Sequence, residues 1–122
     1  MDEPAMQLDF EAHLAAIAGP DIGAIRAATA DAIGSLGEHD YDALARHSPG
    51  LKGWDWLPYL RLSSLRIAHA AALLRGRGID GGRLLDYGAY FGNFALFARH
   101  AGFESWAFDG YQAYEGAFAP HQ

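Results

Sequence analysis

The chain has 122 residues, 51% hydrophobic and 20% charged, enough apolar material for one ordinary globular domain, which excludes a disordered or collagen-like chain. It contains no cysteine, so a disulfide framework and a thiolate metal site are excluded, and a reducing, cytoplasmic setting is expected. The net charge of −6 comes from residues 1–50, where nine acids face Arg26 and Arg46; seven bases and six acids follow, in no dense basic run, so nucleic acid is not expected as a partner.

In "MQLDFEAHLAAIA" at 6–18, Met6, Phe10, Leu14 and Ile17 recur at spacings of four, four and three, one face of a helix that Gly19 and Pro20 stop. Asp21 is placed to cap a second helix carrying Ile22, Ile25, Thr29, Ala32, Ile33 and Leu36, with Gly37 as its end. The two form an expected amphipathic hairpin. A short helical turn is expected in "EHDYDALARHSPG", and "SPGLKGW" reads as a connector.

Pro58 suits the first position of a longer helix through "YLRLSSLRIAHAAALLRG", with Leu62, Leu65, Ala68 or His69, Ala72 and Leu73 on one side. Arg75 and Arg77 fall at its C-terminal end, where cations complement the helix dipole. Its most apolar stretch, "IAHAAALL" at 67–74, is far too short to span a bilayer, so no membrane is expected. Gly76, Gly78, Gly81 and Gly82 then break the chain. "RLLDY" at 83–87 reads as a short buried strand, "GNFALFARHAG" as a helix and "SWAFD" at 105–109 as a second strand parallel to the first. The expected organisation is a helical segment at 1–50, a connector and helix at 51–82, and a partial Rossmann-like unit at 83–122. The fold class is therefore α/β.

The stretch "LLDYGAYFGNFALF" at 84–97 carries the chemistry. A strand that ends in a glycine turn and a helix N-terminus offers backbone N–H groups and partial positive charge at the C-terminal edge of a sheet. Gly88 lets the chain turn sharply or approach a ligand, and Gly92 permits close packing where the helix begins. Asp109 lies 21 positions after Gly88, at the end of the second strand, where ribose hydroxyls are accepted in nucleotide-binding folds. Plain structural readings stand beside these: a simple strand-to-helix turn at Gly88 and Gly92, a helix cap at Asp86, and a "DG" turn at Asp109 and Gly110.

These residues resemble the class I S-adenosylmethionine-dependent methyltransferase superfamily. "LLDYGAYFGNFALFARHAGF" is similar to its first motif, with Asp86, Gly88 and Gly92 on matching positions, and "WAFD" to its second, with Asp109 as the ribose-binding acid. The resemblance covers residues 83–112 and implies S-adenosylmethionine as cofactor, with Asp86, Gly88, Ala89, Tyr90, Gly92, Asp109 and Gly110 around it. It also implies methyl transfer to a small-molecule acceptor. Tyr90 and Phe91 replace the small residues usual in that turn, and are expected to narrow or reshape it. No catalytic residue can be named.

The family's sheet has seven strands, and this sequence supplies the first two. A two-stranded parallel sheet leaves both edges open, so something is expected to finish it: a longer enzyme of which this is the N-terminal part, a second subunit or another copy of the chain, or the helical residues themselves. A noncatalytic partner module that completes its sheet with another subunit is the alternative reading. A nicotinamide-dependent oxidoreductase is a weaker one, because Tyr90 stands where the dinucleotide fingerprint has glycine. The six histidines make no metal spacing, and no metal site is expected. Tyr59 and Arg61 could reach the methionine carboxylate as a hydroxyl and a cation, but the preferred reading is an exposed helix start. Trp54, Trp56, Phe94, Phe97 and Trp106 are expected in the core.

Overall fold

The computed structural model describes residues 3–87 and 91–108. The fold is mixed and mostly helical, with one small parallel sheet. In chain order it runs α1 (Glu3–Ala18), α2 (Ile22–Gly34), α3 (Tyr41–His47), α4 (Trp56–Gly76), β1 (Gly82–Tyr87), α5 (Asn93–His100) and β2 (Phe103–Phe108). Three single 3-10 turns, Gly19–Asp21, Leu36–Glu38 and Pro49–Leu51, join the first four helices.

The periodic apolar residues of the first two helices meet as expected. Leu14 and Ala18 from α1 and Ile25 and Ala28 from α2 are buried in one core with Ile67, Ala68 and Ala71 of α4, Phe97 and Ala98 of α5 and Phe103 of β2. Phe10 and Ile17 pack against it. Asp21 does not cap α2 through its side chain. Its carboxylate pairs instead with Arg75 at the far end of α4, and Arg75 also donates to the Ala18 carbonyl at 3.1 Å. One cation thus closes the end of α1 and ties the hairpin to α4. The second helix stops at Gly34 rather than Gly37, where buried Ser35 turns its hydroxyl back to the Ala32 carbonyl at 3.1 Å.

The long helix begins at Trp56, ahead of Pro58, because Asp55 accepts the Leu57 N–H at 3.1 Å and serves as the N-cap. Its buried face is shifted from the expected one, keeping Ala68 in the core and Leu65 packed against it. Leu60, Ser63, Ser64, Ile67, Ala68 and Ala71 are buried, while Leu62 and Leu73 are exposed. The helix carries apolar residues on several sides, so periodicity alone does not select a face; the small side chains win because they let α1 and α2 approach closely. At its C-terminus, Gly78 at φ +70° donates to Arg75 O and Ile79 to Leu74 O, the paired bonds of a Schellman motif.

The strands pair in parallel, in the register Gly82 to Phe103 through Tyr87 to Phe108. The second strand begins at Phe103, two residues ahead of its expected start. Helix α5 connects the strands and covers one face, fastened by a buried bond of 2.7 Å from the Ser105 hydroxyl to the Ala95 carbonyl. It is also linked to α2 by His100 and Asp31, 2.7 Å apart. The expectation of a buried first strand is corrected: side chains alternate between faces, and only the face of Leu84, Asp86, Ser105 and Ala107 is turned to the helices. The other leaves Leu85, Tyr87, Trp106 and Phe108 exposed. Trp106 and Trp54 are therefore not core residues, whereas Phe97 is buried and Phe94 packs against the core.

Candidate functional site

The C-terminal ends of β1 and β2 come together where Tyr87 and Phe108 stand side by side, their ring centroids 5.4 Å apart. The chain leaves β1 at this edge and re-enters described structure at Phe91 and Gly92. Gly92 is buried, has φ +75° and ψ 15°, and is the N-cap of α5, accepting the Leu96 N–H at 2.9 Å. Left-handed backbone at that point costs a residue with a Cβ about 1–2 kcal/mol, which is why glycine stands there. The helix that follows aims its positive dipole end at the strand edge.

Asp86 lies on the covered face of β1, half-buried, opposite Ala107 in register. Asp86 and Gly92 are thus the expected site residues within the described part. Gly88, Ala89, Tyr90, Asp109 and Gly110 lie outside the described residues; Asp109 directly follows Phe108 in the chain.

Phe91 does not narrow this edge. It turns inward and is fully buried, with Ala32 and Leu60, in a second cluster flanked by Tyr41, Trp56 and Tyr59. Trp56 meets it edge-on at 5.2 Å, buried His39 at 4.8 Å and Tyr59 at 6.1 Å between centroids. An aromatic layer from His39, α3, α4 and the chain before α5, packed against Ala32 of α2, therefore holds Phe91 in place just ahead of Gly92. Spacing could not reveal it, because His39, Trp56, Tyr59 and Phe91 come from separate segments. Burial at its margin also raises the Tyr41 phenol above its ordinary pKa, and that phenol donates to the Leu36 carbonyl.

Tyr59 and Arg61 do not act as a pair. The Tyr59 ring carries the Arg66 guanidinium 5.9 Å above its centroid, and Arg66 donates to the Tyr59 hydroxyl at 3.3 Å. Arg61 instead lines a groove of about 760 Å³ between α1, α2 and α4, with Phe10, Leu14, Ile33 and Leu62 at its walls and Arg26 paired to Glu11 at 3.5 Å on its rim. A smaller cavity of about 310 Å³ lies at the opposite end of α4, between Asp21, Arg75, Asp80 and Phe103. Among the described residues no cluster of three or more histidine or acidic side chains is placed to hold a metal, and no helix is long and apolar enough to cross a membrane.

No family model matches the chain, and neither the curated proteins nor the solved structures contain a match.

Proposed function

We propose that the chain is the cofactor-binding part of an S-adenosylmethionine-dependent methyltransferase, acting on a small-molecule acceptor. The observation that carries this reading is Gly92: a buried left-handed N-cap that starts α5 at the C-terminal edge of a parallel strand pair. A strand, a helix opened by Gly92 and a second parallel strand in succession is the order in which a Rossmann-like sheet begins, and folds of that kind bind ligands at this edge.

The residues at the edge fit such a cofactor. Phe91 is turned into the helical layer, so its bulk is removed from the edge, and the α5 N-terminus favours the polar and carboxylate groups of a nucleoside-linked amino acid. In this reading the Asp109 carboxylate, acceptor-only when ionised, accepts hydrogen bonds from the two ribose hydroxyls, while Asp86 and the turn at 88–92 hold the amino-acid end. The cofactor supplies an electrophilic methyl on a sulfonium. The chain's contribution is to orient that group and exclude water around it, and a general base is required only where the acceptor must lose a proton.

The test is a calorimetric titration with S-adenosylhomocysteine, beside NADH and beside Asp109→Ala, each protein's fold being checked by circular dichroism. Saturable binding of the nucleoside that weakens in the variant is expected. A folded chain that binds neither compound defeats the cofactor site. The noncatalytic partner module then becomes the better reading, and the uncovered face of the sheet already favours it as the second one.

A further inference from the structure

The face of the sheet that no described residue covers presents Leu85 (60% exposed), Tyr87 (77%), Trp106 (48%) and Phe108 (47%), four large apolar side chains in one contiguous block. At roughly 100 Å² each they expose about 400 Å², in the range where an apolar patch marks an interaction site. The strand register arranges them in cross-strand pairs: Leu85 beside Trp106 and Tyr87 beside Phe108, with Arg83 beside Glu104 completing the same face. Every row of the face therefore joins two unlike side chains. The bottom row is one base and one acid, so the face carries no net charge.

From this arrangement we infer that the face docks onto a second copy of itself, about a two-fold axis running along the strands between the two sheets. That axis lays β1 of one chain over the partner's β2 at the same level. Leu85 then faces the partner's Trp106, Tyr87 faces the partner's Phe108, and Arg83 faces the partner's Glu104, each contact occurring twice, as an isologous interface requires. The two sheets stack about 10 Å apart with strands nearly aligned, as in a sandwich. Each parallel strand thereby gains a second covered face, as strands of parallel sheets ordinarily have. A two-fold axis across the strands would instead set Arg83 against the partner's aromatic end. A strongly charged partner would meet no complementary charge.

With Arg83 and Glu104 as its rim, the contact buries on the order of 1,000 Å² in total, the lower end of specific interfaces, so a dissociation constant on the order of 10 µM is expected. The inference does not depend on the cofactor reading, since it rests on the outward side chains of the strands and not on the turn beyond their C-terminal ends, and its test uses no ligand.

The experiment is sedimentation velocity on the intact chain up to about 100 µM, with the fold of each variant verified by circular dichroism. The unaltered chain is expected to pass from monomer to dimer over this range. Arg83→Glu, which leaves only acids in the bottom row, and Glu104→Arg, which leaves only bases, should each weaken self-association at least tenfold. An equimolar mixture of the two variants should restore it, because each acid of one chain then meets a base of the other. A folded, unaltered chain that stays monomeric overturns the inference and leaves the face to a different polypeptide. A dimer that neither variant weakens, or that the mixture fails to restore, overturns the proposed axis; it would point to pairing through the open strand edges or in another orientation.

Discussion

Trp56 meets Phe91 edge-on, 5.2 Å between ring centroids, and this contact joins the first turn of α4 to the chain just ahead of α5. Phe91 is fully buried, although it belongs to a stretch that the sequence assigns to ligand binding. Replacing it with alanine removes a whole buried ring and leaves a cavity, which costs about 3–5 kcal/mol, a large share of the stability of a small domain. Urea unfolding should show that loss for Phe91→Ala and a smaller one for Phe91→Leu, which keeps part of the apolar volume.

Gly92 at φ +75° makes a second prediction. Gly92→Ala adds only a methyl group, yet it forces a Cβ into left-handed backbone and should destabilise the chain by about 1–2 kcal/mol. In the cofactor reading the same substitution shifts the α5 N-terminus. S-adenosylhomocysteine binding should then fall in protein shown to remain folded. A variant as stable as the parent would show that the backbone there does not require glycine.

Arg75 makes two bonds of different kinds, one to the Asp21 carboxylate and one to the buried Ala18's carbonyl. The ion pair is part-exposed and should contribute less than about 1 kcal/mol, with sensitivity to salt. The carbonyl bond uses a charged donor and closes a helix end. Arg75→Ala should therefore cost about 1–2 kcal/mol more than Asp21→Asn. Thermal melts of both variants at low and high salt separate the two contributions. Equal costs would show that the ion pair carries the whole effect.

Tyr41 predicts an alkaline dependence. Burial raises its phenol above the ordinary value of about 10, because the phenolate is poorly solvated there. The unfolded chain therefore releases this proton first. The stabilisation is fully present below pH 10 and is lost as pH rises from about 10 through the folded-state value. Tyr41→Phe should remove that part of the alkaline slope and cost about 1 kcal/mol at neutral pH by breaking the bond to Leu36 O. Urea midpoints measured from pH 7 to pH 11, in parent and variant, check both statements.

Local pattern made several features legible. Glycine and proline set off the helices and strands, the 3.6-residue repeat of Phe10, Leu14 and Ile17 marked the inner side of α1, and the glycine at 92 announced the turn into α5. These follow from short-range sterics and periodicity, which depend on neighbours in the chain. Asp55 as the cap of α4 was equally local, but Pro58 offered a competing start three residues on, and the side-chain bond decided it.

What tertiary structure alone decided involves residues far apart in the chain. Leu62 and Leu73 were as apolar as the residues that became buried, and the face of α4 was chosen by which side chains allowed α1 and α2 to come close. Asp21 was free by sequence to cap its own helix and was taken by Arg75, 54 residues on. His39, Trp56, Tyr59 and Phe91 gathered into one layer, and the strand register put Arg83, Leu85 and Tyr87 beside Glu104, Trp106 and Phe108 on an open face. The sequence by itself determined which segments become helix or strand, to within a few residues at their ends, and which glycine leads into α5, because backbone sterics act within a few residues. Partners and buried faces were left to the tertiary structure, because packing is settled among all surfaces that compete for the same contact.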